Sequence, residues 1–276
     1  FPPDPRPADR PTGAPSDADP ARPFAPRVGE ERDDSVSDCH SPCRSFRVEL
    51  AGLKGRGVNV LAVGAHPDDV ELGCGATLLR HVARGDDVTI LVMTAGQLGL
   101  VEGMSRQTEQ EDAATRLGVR LCWGGFEDGS VPDGPEAIAV IDRVIADCDA
   151  ETLYTHAPQD THQDHRATST ASLAAARRLP TVLQFETPST QGFEPTVYVD
   201  VADTLDDKMV LLRTHLSQVL RQGPVDLEAI EAQARFRGFQ GRIRYAEAFE
   251  SARLAWDLTS PAVVAPVRAL SVASTG

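Results

Sequence analysis

From Val58 onward, short apolar runs alternate with stretches whose apolar residues recur every three or four positions. Val58–Gly64 and Asp87–Thr94 (DVTILVMT) are nearly continuous β-branched and aliphatic runs, the pattern of strands buried on both faces of a parallel sheet. Val119–Trp123, Glu151–Thr155, Val182–Glu186 and Thr196–Val201 read as further strands. Between them, Gly73–Arg84, Arg106–Leu117, Glu136–Cys148 and Asp164–Arg178 each carry apolar residues along one helical face. Gly118 stops the second of these helices. Two more helices are expected over Asp203–Leu220 and Asp226–Glu250. Strands separated by helices predict an α/β fold: a Rossmann-like, open, mostly parallel sheet flanked by helices, in a single domain.

Upstream the pattern vanishes. Ten of the 20 prolines fall within residues 1–45, with mixed charge and few apolar positions. Such a segment buries too little surface to offset its ordering entropy, so residues 1–50 read as a disordered tail. The folded domain is expected over residues 51–260, with a C-terminal tail over 261–276.

The 276 residues carry 41 acidic and 27 basic side chains, a net charge of −14, which argues against a nucleic-acid or anionic-membrane binder. No run approaches the roughly 18 apolar residues of a membrane span, and no signal peptide is visible. Five cysteines, Cys39, Cys43, Cys74, Cys122 and Cys148, are odd in number and widely spaced, which reads as free thiols in a reducing cytoplasm.

In open α/β sheets, ligands bind beyond the carboxyl ends of the strands. Two such ends hold clustered His and Asp. His66-Pro67-Asp68-Asp69 follows the first strand, and adjacent carboxylates beside an imidazole would repel each other without a cation. A turn that curls His and Asp inward lets both reach one ion, and the second carboxylate is then free to act on water. His162-Gln163-Asp164-His165 follows the fourth strand and opens a helix, where it can supply a third protein ligand. Three protein ligands with an open position describe a catalytic zinc site rather than a structural one. The remaining His and Asp would surround the ligands or act as an acid. The same donors would accept Fe2+ or Mn2+.

Ala65–Thr77 (AHPDDVELGCGAT) resembles the first signature of the LmbE/PIG-L family of zinc-dependent N-acetylglucosaminyl deacetylases, and His162–His165 its second. Arg106–Glu109 through Leu117–Val119, Glu186–Thr190 and Tyr245–Phe249 also resemble family landmarks, so the likeness spans roughly residues 58–257. Many members read Asp-Asp-Glu where this chain has Asp-Asp-Val, with its Glu one place later at Glu71. The resemblance implies one Zn2+ held by His66, Asp69 and His165, with Asp68 as general base. It implies His162 as the acid or electrophilic group with Asp164 orienting it, and Arg106 and Asp128 as contacts to sugar hydroxyls. The implied reaction removes an acyl group, most simply acetyl, from an amino-sugar conjugate. The alternatives are a zinc amidase acting on a thiol–sugar conjugate and a non-catalytic Rossmann-like nucleotide binder. The latter would need an acidic ribose partner about 20 residues past the glycines, which residues 91–97 do not offer. The conjugate carrying the sugar and the oligomeric state are not written in the sequence.

Overall fold

A computed structural model describes residues 57–99, 101–219 and 225–255. The expected tails at 1–50 and 261–276, and Cys39 and Cys43 with them, lie outside these residues. The elements are β1 (Asn59–Gly64), α1 (Asp69–Arg84), β2 (Asp87–Thr94), α2 (Arg106–Leu117), β3 (Arg120–Phe126), α3 (Pro135–Asp147) and β4 (Thr152–His156). They continue with α4 (Gln163–Ala175), β5 (Thr181–Phe185), β6 (Val197–Asp200), α5 (Leu205–Leu212), α6 (Leu216–Val219), α7 (Leu227–Gln240) and β7 (Ala246–Leu254).

All seven strands form one sheet in the order β3-β2-β1-β4-β5-β7-β6. The first five are parallel, and β7 runs antiparallel to both β5 and β6. Alternate residues of the central strands point to opposite faces, and both faces are covered. Val60, Ala62, Ile90 and Val92 pack with Val70 and Leu78 of α1 and Ala113 and Leu117 of α2. Leu61, Val63, Leu91, Met93 and Leu153 pack with Ile141 of α3 and Ala171 of α4. This double burial is why β1 and β2 read as unbroken apolar runs rather than alternations. The strand order reverses between β1 and β4, which opens a crevice beyond their carboxyl ends. Both His/Asp clusters sit there.

Three expectations about elements change. The helix predicted over Asp226–Glu250 ends at Gln240, and residues 246–254 form β7 instead. Ala, Glu and Arg favour helix locally, but the segment is wedged between two strands, and pairing on both edges overrides propensity. The helix expected over Asp203–Leu220 is two pieces, α5 and α6. The first helix begins at Asp69 rather than Gly73 and is broken at Cys74, whose φ of −144° is not helical.

A buried ion pair is spliced into that break. Lys208 Nζ donates to the carbonyl of Leu72 (2.7 Å) and to Glu247 Oε1 (2.6 Å). The Glu247 carboxylate accepts from the backbone N–H groups of Ala76 (3.0 Å) and Thr77 (2.7 Å). Thus each orphaned end of the interrupted helix finds a charged partner. Gly73 is required at the break, because a Cβ there would lie 2.1 Å from the ring of Phe185.

Candidate metal centre

The turn between β1 and α1 places Asp68 at φ +89°, a left-handed backbone that Asp tolerates better than most residues. The next residue, Asp69, enters the helix and folds back, accepting the backbone N–H of His66 at Oδ2 (2.7 Å). Across the crevice His162 caps α4, its Nδ1 accepting from the N–H of Asp164 (3.2 Å), and His165 lies in the first turn.

Three side chains converge between the two clusters. His66 Nδ1 lies 3.3 Å from His165 Nε2 and 3.4 Å from Asp69 Oδ2, and His165 Nε2 lies 3.4 Å from Asp69 Oδ1. The outward nitrogens decide what the inward ones carry. His66 Nε2 faces Asp164 Oδ2 and Asp128 Oδ1, each at 3.1 Å. His165 Nδ1 faces Asp160 Oδ2 at 3.2 Å. Carboxylates only accept, so each outward nitrogen holds a proton; with a cation at the centre, each inward nitrogen would give up its own and present a lone pair. Two lone pairs and a carboxylate would then point at one place. Atoms about 2.0–2.1 Å from a tetrahedral zinc are about 3.3–3.4 Å from each other, which matches the spacing of the two imidazole nitrogens and of each from one oxygen of the Asp69 carboxylate, Oδ2 for His66 and Oδ1 for His165. The donor set fits a divalent cation, with outer carboxylates fixing both tautomers.

The electrostatics point the same way. Burial disfavours a charged His66, yet the carboxylates of Asp128, Asp164 and Asp69 outweigh it and lift its pKa to about 11. Burial likewise opposes an ionised Asp69, but His165, His156 and His66 hold that carboxyl well below its ordinary value. Without a cation His66 keeps a second proton at neutral pH, and a bound cation would take the place of that proton's charge. Asp68 differs. Burial, joined by Asp69 and Glu71 and opposed by Arg106, raises it to about 7.

Not every expected residue stands where the sequence reading put it. Asp164 was to orient His162, but its carboxylate is occupied by His66 and by the N–H groups of Gly129 (2.6 Å) and Val131 (3.2 Å). It meets His162 only through its own backbone N–H. His162, as an acid, would need a proton to give. Burial and the imidazoles of His66 and His165 instead lower its pKa, despite Asp164. Arg106 is buried, donating from Nη2 to the Pro67 carbonyl (2.6 Å) and lying 3.4 Å from Asp68 Oδ1. Asp128 divides its carboxylate between His66 and the N–H of Leu98 (2.8 Å). Arg106, Asp128, Asp68 and His162 all line one cavity of about 530 Å3 above the converging donors.

Two neighbours had no assigned role in the sequence. Asp160 holds His165 while its Oδ1 accepts the N–H of His162 (2.8 Å). Its Oδ2 accepts the hydroxyls of Thr187 (2.9 Å) and Thr190 (2.8 Å). Those threonines belong to the Glu186–Thr190 stretch noted above, the one hint available beforehand. His156, at the end of β4, is fully buried with Nε2 3.2 Å from Asp69 Oδ2.

Residues 61–176, which contain both clusters, match the PIG-L family of GlcNAc-PI de-N-acetylases. A protein of Escherichia coli K12 named uncharacterized deacetylase YaiS is 36% identical over 167 residues, 57% of this chain and 90% of that protein. The diacetylchitobiose deacetylase of Thermococcus kodakarensis is 29% identical over 185 residues, 58% of this chain and 69% of its own. Among solved structures, the conserved protein TT1542 of Thermus thermophilus superposes with a TM-score of 0.65 at 28% identity, covering 73% of this chain and 97% of that one. Matched along nearly the whole of its Escherichia coli relative, and with both clusters inside the matched stretch, the chain belongs to the PIG-L, or LmbE, family.

Proposed function

We propose that this protein is a metal-dependent amide hydrolase that removes the acetyl group from an N-acetylated amino sugar, with zinc as its ion. The observation that carries this reading is the convergence of two imidazole nitrogens and the Asp69 carboxylate at 3.3–3.4 Å on the floor of a cavity that also holds Asp68 and His162. Two relatives are named deacetylases, and one of these is named for an N-acetylated sugar. Two nitrogens and a carboxylate suit zinc, and Fe2+ or Mn2+ are the competing occupants.

His66, Asp69 and His165 would hold the ion, and Asp160, Asp164 and Asp128 would keep the ligands in register. A divalent ion there supplies Lewis acidity, polarising the amide carbonyl and making water easier to deprotonate. Asp68 takes the proton from the attacking water at its carboxylate, and a pKa near 7 suits a base at neutral pH. His162 already accepts at Nδ1, so its remaining hydrogen sits on Nε2 even when the ring is neutral. That N–H donates to the carbonyl oxygen as the carbonyl carbon becomes tetrahedral, and the proton held by Asp68 passes to the departing amine nitrogen as the C–N bond breaks. The sugar hydroxyls meet Asp128 and Arg106 along the cavity wall.

The test is release of acetate by metal-loaded protein from diacetylchitobiose, N-acetylglucosaminyl-inositol and N-acetylglucosamine. Turnover of at least one, abolished by chelation and restored by Zn2+, is expected. A protein holding one ion per chain that releases no acetate from any of them would overturn the reading.

A further inference from the structure

The N-terminal half of α2 grips one peptide bond of the candidate active-site turn. Arg106 Nη2 donates to the carbonyl oxygen of Pro67 (2.6 Å), and Gln110 Oε1 accepts the N–H of Asp68 (3.1 Å). That carbonyl and that N–H are the two poles of a single peptide unit. Arg106 and Gln110 are four residues apart, on one face of the helix. Gln110 is fully buried, and its amide can sit only one way round. An N–H can only donate, so Oε1 faces Asp68. The NH2 group is then left to face Glu71 Oε1, to which it donates at 2.7 Å. Glu71 is fully buried as well. The carboxylate fixes the amide, and the amide fixes the peptide.

The gripped peptide leads into Asp68 at φ +89°, a backbone that an L-residue leaves unless its surroundings hold it there. Relaxation toward right-handed values would swing the Asp68 carboxylate away from the cavity. We propose that Gln110, fixed by Glu71, is a positioning residue that works with Arg106 to clamp the Pro67–Asp68 peptide and so aims the Asp68 carboxylate at the substrate. This rests on the role given to Asp68 above. It also accounts for Glu71, two places beyond the Asp-Asp pair: Glu71 acts on Asp68 through Gln110.

The experiment uses the full chain loaded with Zn2+, as wild type, Gln110→Met and the exchanged pair Gln110→Glu/Glu71→Gln. The exchanged pair rebuilds the chain of bonds, because Glu at 110 still accepts from Asp68 and Gln at 71 donates to it. One readout is amide hydrogen exchange at Asp68, which needs no substrate. The other is kcat and KM for acetate release from diacetylchitobiose. Gln110→Met is expected to speed exchange at Asp68 by at least about tenfold while the β1 amides stay protected. It should lower kcat by about 10–100-fold, with KM and zinc content unchanged. The exchanged pair should bring both readouts back to within about threefold of wild type. Wild-type exchange and kcat in Gln110→Met, or a folded exchanged pair that is as impaired as Gln110→Met, would overturn the proposal. If Gln110→Met does not fold, the exchanged pair decides alone: wild-type kcat supports the clamp and its loss refutes it. If the wild type releases no acetate, the deacetylase reading fails and exchange at Asp68 still decides the clamp.

Discussion

Replacing Asp160 with Asn changes one atom and should reverse a proton. Asp160 Oδ1 accepts the backbone N–H of His162, so in Asp160→Asn the oxygen must stay on that side. The new NH2 then takes the place of Oδ2, 3.2 Å from His165 Nδ1. A donor facing Nδ1 forces that nitrogen to accept, and the ring hydrogen moves to Nε2. There it points at Asp69 Oδ1 (3.4 Å) and His66 Nδ1 (3.3 Å), into the space where three donors converge. Thr187 and Thr190 lose their acceptor, but hydroxyls rotate and find others. The cost therefore falls on the tautomer of a ligand. Outer-shell carboxylates of this kind are worth about 10–100-fold in metal affinity, or about 1.4–2.7 kcal/mol. Competition of the protein with a chelating dye for Zn2+ at neutral pH measures it directly. Asp160→Asn should bind Zn2+ about 10–100-fold more weakly than wild type, with an unchanged fold by circular dichroism. Affinity within about threefold of wild type would refute the tautomer argument, and with it the assignment of His165 Nε2 as a ligand atom.

Three further outcomes are expected. Asp68→Asn keeps the shape of the turn, because Asn also tolerates positive φ, but cannot take a proton; turnover should fall by about 10²–10⁴-fold with metal content unchanged, and near-normal turnover would remove Asp68 as the base. Lys208→Met leaves the buried Glu247 carboxylate without its counter-charge and should cost about 3–5 kcal/mol in urea unfolding, whereas a loss under about 1 kcal/mol would mean the ion pair is dispensable. Burial, followed by Arg106, depresses His215 to about 3. An unfolded histidine titrates near 6.5, so between those values only the unfolded chain binds the proton and stability falls as the pH drops, by up to about 1.4 kcal/mol per unit. His215→Leu should flatten the stability profile between about pH 4 and 6 by that slope, and an unchanged profile would contradict it.

The central sheet was legible because parallel strands with both faces buried leave an unmistakable apolar run, and the helices between them carry a clear period. β7 was not legible, because its Ala and Glu residues favour helix and nothing local reveals the two strands that flank it. The two His/Asp clusters announced themselves through charge crowded at strand ends. Their division of labour was less readable. Asp164 looks like a partner for His162 in the linear sequence, yet the helix turn aims its carboxylate at His66, which is 98 residues away in sequence. Asp160 looks like an ordinary loop residue until His165 and two threonines are seen to share it. Gln110 sits in a polar stretch of α2 that looks exposed, and only the packing of α2 against the first turn buries it.

The place of β7 in the sheet sets an order on how the chain can assemble. β7 is the last of the described strands in sequence, yet it lies inside the sheet, and among the described residues β6 pairs with no other strand. A nascent chain can pair β1 to β5 as each strand emerges. β6 has nothing to bond with until residues 246–254 leave the ribosome. Through that interval β5, with Val182, Leu183 and Phe185 all apolar, presents an open edge, the kind of surface on which chains associate. The break in α1 also lacks Glu247 until the same moment. Completion of the fold is therefore a late, long-range event, and a chain stopped short of Ala246 would hold both His/Asp clusters on a sheet that cannot close.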